Sequence, residues 1–198
     1  HLKNIGVEVA YSLPGVGQNL RDHFATRFIY RVKNVKTFNE RTRGFAFVDE
    51  AVKWALGRPS VLSLPATACY AFAKSSPLLE TSDLQITFMP ASYKEGVQSQ
   101  LEEHLGMTLA AWQQRPESTG YVRARSFDPF QAPEIQPNYL SSHIDQDVLL
   151  AGLRLIRQLV DTEDMRRFCE LETYPGFDIT SDEALLNTAR ARGTTAFH

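Results

Sequence analysis

Short segments of alternating apolar and polar residues dominate the middle of this sequence and constrain its fold more than any other feature. A strand places successive side chains on opposite faces of a sheet, so this period of two predicts half-buried strands. The pattern runs through residues 84–88, 105–109 and 121–125, and β-branched and aromatic runs at 28–32 and 67–73 predict further strands. The strands do not alternate regularly with helices, so we expect an α+β fold with a largely antiparallel sheet.

The last third of the sequence has helical periodicity. Its apolar stripe comprises Leu149, Leu153, Ile156 and Val160. On this helix Arg157 and its polar neighbours are predicted to face outward. Thr180 and Glu183 form a capping box for a second helix that runs to Arg192. Other helices are predicted over residues 44–56 and 163–169.

Composition limits the class of protein. The 198 residues are 43% hydrophobic and 22% charged, which is typical of a globular protein. Lys+Arg 21 against Asp+Glu 23 gives a net charge of −2, so no basic surface for nucleic acid is expected. Cys69 and Cys169 lie far apart without a metal-binding motif, so we expect neither a disulfide scaffold nor a bound metal. No apolar run approaches the ~18 residues of a membrane span, and no signal-peptide pattern is visible.

Polar clusters in the sequence allow more than one interpretation. Asp22 and His23 follow a turn-rich loop, and they can form a catalytic pair or a pair of ligands. The more common role of such residues is to form hydrogen bonds within their own loop. The histidine and two aspartates of residues 143–147 resemble metal ligands, but acids at a helix start also complement its dipole. The G-x-G at residues 15–17 lacks the third glycine and the strand–helix context of a dinucleotide fingerprint. These residues alone indicate only a soluble α+β protein.

Three ordered blocks span nearly the whole sequence. They are L-P-G-V-G-Q-N-L-R-D-H at residues 13–23, R-P-E-S-T-G-Y-V-R at 115–123 and T-A-F-H at 195–198. In this order they resemble the loop that enters the substrate domain, the P-x-S-x-G-x-V-x-L strand and the start of the T-x-[YF]-H-P-x-G-T segment in glucose–methanol–choline (GMC) flavoprotein oxidoreductases. Choline dehydrogenase-like members are the most similar.

The resemblance implies a particular domain organisation. Residues 1–27 would be the connecting loop from an FAD-binding domain, and residues 28–198 a substrate-binding domain that stops at the active-site histidine. Its antiparallel sheet would carry helices packed on one side, and the Rossmann-like domain that binds FAD would lie outside this sequence. The start at His1 without a methionine and the apolar run before His198 are consistent with cuts through a longer protein. We therefore expect the segment to be inactive alone.

The resemblance also assigns roles to individual residues. His198 maps onto the family's histidine, which acts as a base or stabilises the alkoxide while an alcohol passes hydride to the flavin; a neutral imidazole suits that role. Phe197 would line the substrate pocket beside it. Asn19, Asp22 and His23 are the candidates for contacts on the flavin side.

The region that binds the choline headgroup departs from the family pattern. Choline-type members carry a glutamate on the strand aligned with residues 67–73, where its charge holds the trimethylammonium group. Here Ala68, Cys69 and Tyr70 occupy that neighbourhood, and only Tyr70 would offer a weaker cation–π contact. We therefore expect a neutral primary alcohol as substrate, with Cys69 and Tyr70 lining the pocket.

Two other functions stay open at this point. Some proteins of the GMC fold are hydroxynitrile lyases, which keep the flavin without redox turnover, and a non-catalytic binding module of the same fold is a second alternative. The expected partners are a small alcohol and the FAD-binding half of the same protein. Apolar surface left bare without that half predicts self-association. We expect a cytoplasmic location, with peripheral membrane attachment as the alternative.

Overall fold

The computed structural model describes residues 1–94 and 100–197. Its strands are β1 (Gln18–Leu20), β2 (Phe24–Val32), β3 (Cys69–Ala73), β4 (Leu84–Met89), β5 (Gly106–Gln113), β6 (Gly120–Arg123), β7 (Glu134–Gln136), β8 (Cys169–Tyr174) and β9 (Thr194–Thr195). Its helices are α1 (Phe38–Arg41), α2 (Gly44–Ala55), α3 (His143–Val160), α4 (Glu163–Arg166) and α5 (Asp182–Arg192). In the described part of the chain, none of these helices is long and apolar enough to cross a membrane.

Strand β2 pairs with three other strands of the larger sheet. The strands lie in the order β3-β4-β5-β2-β8, and β9 pairs with the first residues of β2. Every pairing in it is antiparallel, and the register along β2 and β5 runs from Thr26 opposite Ala111 to Arg31 opposite Gly106. The predicted α+β class with a largely antiparallel sheet is confirmed.

Helix α3 covers one face of this sheet. The apolar stripe predicted from the sequence is the buried side of α3. This stripe packs in one cluster with α5 and with strand residues that face the helix. The strand residues of that cluster are Phe28, Tyr30, Val32, Leu84, Ile86, Met107, Leu109 and Ala111. Each large apolar side chain buried there contributes roughly 1.5–3 kcal/mol to stability.

Helix α3 approaches the sheet closely at Gly152. A Cβ atom at this position would lie 2.6 Å from Cδ1 of Leu84 and 3.0 Å from Cβ of Ala111. The second of these atoms belongs to a short side chain that cannot rotate away. The absence of a side chain on Gly152 therefore lets the helix lie directly on β4 and β5.

Arg157 on α3 does not face outward as the sequence predicts. Its Nη2 donates to Oε1 of Glu172 at 2.7 Å, and its Nε donates to Oε2 at 3.1 Å. The Tyr30 hydroxyl donates to the same carboxylate at 3.1 Å, and the Glu172 side chain is completely buried. Burial and then the Glu172 charge raise the pKa of Tyr30. A charged residue on the inner face of β8 thus draws Arg157 into the core.

Two helix boundaries also differ from the prediction. The helix expected over 163–169 ends at Arg166, because β8 follows directly. The N-cap of α5 is Ser181, whose hydroxyl accepts from the Ala184 N–H at 3.2 Å, rather than Thr180. The predicted end of α5 at Arg192 is confirmed.

A smaller antiparallel sheet, in the order β1-β6-β7, is tied to the start of α3. The Asp145 carboxylate accepts from the N–H groups of Glu117 and Ser118 at 2.9 and 2.8 Å. Asp145 is therefore buried and structural. Both β1 and the start of β2 lie within residues 1–27, and the boundary after residue 27 stays a prediction.

Candidate active site

The side of the larger sheet opposite α3 forms the candidate site. Successive side chains of a strand alternate between the two faces, so every second residue of β2 to β5 points away from the helices. We call this surface the open face. It comprises Ala25, Arg27, Ile29, Arg31, Tyr70, Phe72, Gln85, Thr87, Met89, Thr108, Ala110 and Trp112.

The register of the sheet brings open-face residues together in rows. Tyr70 lies opposite Thr87, Thr87 opposite Ala110, and Ala110 opposite Arg27. A second row places Phe72, Gln85 and Trp112 side by side. The side chains of Tyr70 and Phe72 are 59% and 60% exposed, so two aromatic rings stand uncovered at the β3 end of the rows, whereas Thr87, Ala110 and Trp112 are buried. The exposed rings suit a small molecule with an apolar body.

Electrostatically the open face is neutral to positive. Strands β2 to β5 contain no aspartate or glutamate, and the charged residues on their open face are Arg27 and Arg31. In the described ranges, 1–94 and 100–197, neither guanidinium has an acidic partner. A quaternary ammonium group would find no carboxylate here to balance its charge.

The last described residues lie at one edge of the sheet. Strand β9 places Thr195 opposite Phe24, and the Ala196 N–H donates to the carbonyl of His23 at 2.8 Å. Phe197 has a φ of 63°, in the left-handed region, and its N–H donates to Oγ1 of Thr195 at 2.9 Å. A residue other than glycine adopts this conformation at a cost of roughly 1–2 kcal/mol. Such strain is most often found at functional positions.

Asp22 and His23 connect this edge to other parts of the chain. Asp22 accepts a short hydrogen bond from the Tyr139 hydroxyl. The Nε2 atom of His23 lies 2.8 Å from the carbonyl of Gln114, and its ring centroid lies 6.3 Å from that of Trp112 on the open face. Burial and then the hydrogen bond to Asp22 raise the pKa of Tyr139 to about 12, while the side-chain hydrogen bond with Thr195 lowers it.

The predicted site residues are distributed over four places. Phe197, Asp22 and His23 meet at the β9 edge, and Phe197 is 81% exposed. Tyr70 lies on the open face, but Cys69 lies on the opposite face, because neighbouring residues of β3 alternate. Those two side chains therefore do not share one surface. Asn19 lies on β1, exposed and with a positive φ.

His198, the predicted catalytic residue, lies outside the described residues, and its role stays a prediction. Sequence reasoning missed four residues of this region: Arg27, Phe72, Trp112 and Tyr139. The alternation around Tyr70 was sufficient to find Phe72, which is two residues further along the same strand. Within residues 1–94 and 100–197, no group of three or more His, Cys, Asp or Glu could hold a metal ion.

The fold is shared with a protein of known structure. The chain superposes over its full length on an FAD-containing formate oxidase of Aspergillus oryzae, with a TM-score of 0.84 and 20% sequence identity. It covers 39% of that chain. At this level of identity the likeness establishes a shared fold.

Sequence comparison shows which proteins the chain resembles. Residues 116–198 match the sequence profile described as GMC oxidoreductase. The chain is 30% identical over 197 residues to an oxygen-dependent choline dehydrogenase of Photobacterium profundum, and 29% identical over 204 residues to an alcohol dehydrogenase [acceptor] of Pseudomonas putida. All of the chain is matched, but it spans only 34% and 36% of those relatives. The predicted resemblance is confirmed: the chain is similar to GMC oxidoreductases, the choline dehydrogenases among them, and proteins of that family depend on FAD.

Proposed function

We propose that this chain forms the substrate-binding side of an FAD-dependent alcohol oxidoreductase. The observation that carries the proposal is the open face of the larger sheet, with β9 delivering Phe197 to its edge immediately before His198. The curated relatives include an enzyme named for choline and one named for alcohols. Because the chain spans about one third of their length, the activity belongs to a longer protein.

In this proposal His198 accepts the hydroxyl proton of the alcohol. A neutral imidazole with an ordinary pKa near 6.5 can take this proton at physiological pH. When bound, FAD supplies the acceptor for the hydride that leaves the alcohol carbon, so that an aldehyde is formed. Phe197, Tyr70 and Phe72 provide apolar surface that orients the substrate carbon and excludes water.

The charge of the open face supports a neutral alcohol over choline. Burying a trimethylammonium group away from water without a counter-charge is costly. The rings of Tyr70 and Phe72 offer only cation–π attraction, worth about 0.5–2 kcal/mol. Arg27 lies in the same cross-strand row as Tyr70 and repels a cation.

The residues present fit a flavin that is held mainly by another part of the protein. The exposed rings of Tyr70 and Phe72 offer aromatic surface of the kind that a flat, largely apolar ring system requires. Asp22 and His23 already have partners within the chain, so their side chains shape the edge of the site. Asn19 is exposed, and it is the candidate with a side chain available for a cofactor contact.

The test uses the complete flavoprotein that contains this chain. The oxidised protein is mixed anaerobically with primary alcohols and, separately, with choline, and bleaching of the flavin is followed. We expect a neutral primary alcohol to bleach the flavin and to yield the aldehyde. A flavin that stays oxidised with every alcohol while a cyanohydrin is cleaved would show a lyase. A flavin that is bleached best by choline would refute the substrate class.

A further inference from the structure

The backbone that leads into His198 is held by an unusual arrangement at Phe197. Its φ of 63° turns the chain through the left-handed region, which residues other than glycine rarely adopt. The Phe197 ring is 81% exposed, so side-chain packing does not impose this turn. The contact that satisfies its backbone is the hydrogen bond from the Phe197 N–H to Oγ1 of Thr195, at 2.9 Å.

Thr195 is itself fixed from two directions. Its backbone pairs with Phe24 at the start of β2, which sets the direction in which the side chain leaves β9. Tyr139 lies beside this strand pair, because its ring stacks on Phe24, the residue opposite Thr195.

Tyr139 is in turn held rigidly. Its hydroxyl donates to the Asp22 carboxylate, and its ring stacks on Phe24 with the centroids 4.6 Å apart. Asp22, in the segment before β2, and Tyr139, in the segment before α3, therefore brace Phe24, the residue that lies opposite Thr195.

We propose that Thr195 is a positioning residue: its hydroxyl, on a strand that Tyr139 and Asp22 brace through Phe24, holds the turn at Phe197 and so sets the direction in which the chain continues toward His198. This inference rests on the proposed function, in which His198 accepts the proton of the alcohol. Displacing a reacting group by about 1 Å can cost about a hundredfold in rate. A hydroxyl that does not touch the substrate can therefore affect the chemical step without contributing to binding.

The test compares Thr195→Val with Thr195→Ser and with Thr194→Val in the complete flavoprotein. Valine keeps the shape and strand preference of threonine but removes the oxygen, whereas serine keeps the oxygen. Thr194 is the neighbouring residue of the same strand and serves as the matched control. For Thr195→Val we expect flavin reduction at saturating alcohol to slow by about tenfold or more, with the half-saturating concentration changed less than about twofold. Thr195→Ser and Thr194→Val should stay close to wild type.

A second measurement reports on the turn without using activity. Hydrogen exchange of the Phe197 amide should accelerate in Thr195→Val but not in Thr195→Ser or Thr194→Val, because only Thr195→Val removes the hydroxyl oxygen that accepts from this amide. If Thr195→Val matches Thr194→Val in both rate and exchange, the positioning role is overturned.

The variant His198→Ala separates this inference from the function on which it rests. If His198→Ala reduces the flavin as fast as wild type, the proposed function fails, and the positioning role fails with it. If His198→Ala is inactive but Thr195→Val reduces the flavin normally, only the positioning role fails.

Discussion

The buried ion pair between Arg157 and Glu172 allows a quantitative prediction for Glu172→Gln. The substitution keeps the size of the side chain but removes its charge. The Glu172 side chain is completely buried, and that of Arg157 is 21% exposed, so water cannot replace the lost charge. The amide nitrogen of a glutamine would also place a donor against donors of Arg157 or Tyr30.

The size of the effect follows from the remaining contacts. Removing one partner of a buried ion pair costs about 3–5 kcal/mol, because the other charge stays buried without compensation. Arg157 keeps hydrogen bonds to the carbonyls of Ile179 and Gly176, at 2.7 and 3.0 Å, and lies 5.0 Å from the centre of the Phe28 ring. We therefore expect a loss at the lower end, about 3 kcal/mol in the free energy of unfolding.

Urea unfolding followed by circular dichroism measures this loss. The matched control is Asp161→Asn, which breaks the ion pair with Arg166, whose two side chains are 75% and 66% exposed. Exposed pairs contribute at most about 1 kcal/mol, so the control should lie within that distance of wild type. Equal losses for Glu172→Gln and Asp161→Asn would refute the reasoning from burial.

Three further predictions concern charge, pH and packing. Arg27→Gln should strengthen binding of a cationic alcohol such as choline relative to a neutral alcohol of similar size. Titration of the flavoprotein with each alcohol gives the ratio of the two affinities, and an unchanged ratio would show that Arg27 does not face the substrate. The pKa of Tyr139 is raised from 10.0 to about 12, so between these pH values the folded protein keeps a proton that the unfolded chain has lost. The stabilisation that this protonated hydroxyl provides should therefore disappear between about pH 10 and pH 12. Tyr139→Phe should remove that part of the pH dependence of urea unfolding, and an unchanged slope would contradict it. Gly152→Ala should lower the unfolding free energy by about 1–3 kcal/mol, because the new Cβ meets Leu84 and Ala111, and an unchanged melting temperature would show that α3 can shift freely.

The strands were predictable where one face is buried and the other is not. Leu84 and Ile86 face α3 and alternate with Gln85, so the period of two is visible in the sequence of β4. In β5 every residue is buried, and apolar residues stand on both faces as at Ala110 and Ala111. Alternation is lost there, and the predicted strand ends too early.

Partners that are distant in sequence account for the main errors. The helical period places Arg157 on the polar side of α3, and nothing local reveals that Glu172 faces inward on β8. The same limit applies to the candidate site, because Tyr139 and Asp22 are 117 residues apart and are joined only by the fold. The resemblance of short motifs could therefore point to Phe197 and His198, but not to the residues that hold them.

The measurement that tests the central claim most directly is the rate of anaerobic flavin reduction by a neutral primary alcohol, in wild-type flavoprotein and in His198→Ala. If this chain supplies the substrate surface and the proton acceptor, the wild type should be reduced, and His198→Ala should be slower by about a hundredfold or more with its flavin content unchanged. Equal rates in the two proteins would contradict the role of His198. A wild-type flavin that no alcohol reduces would contradict the assignment as an alcohol oxidoreductase.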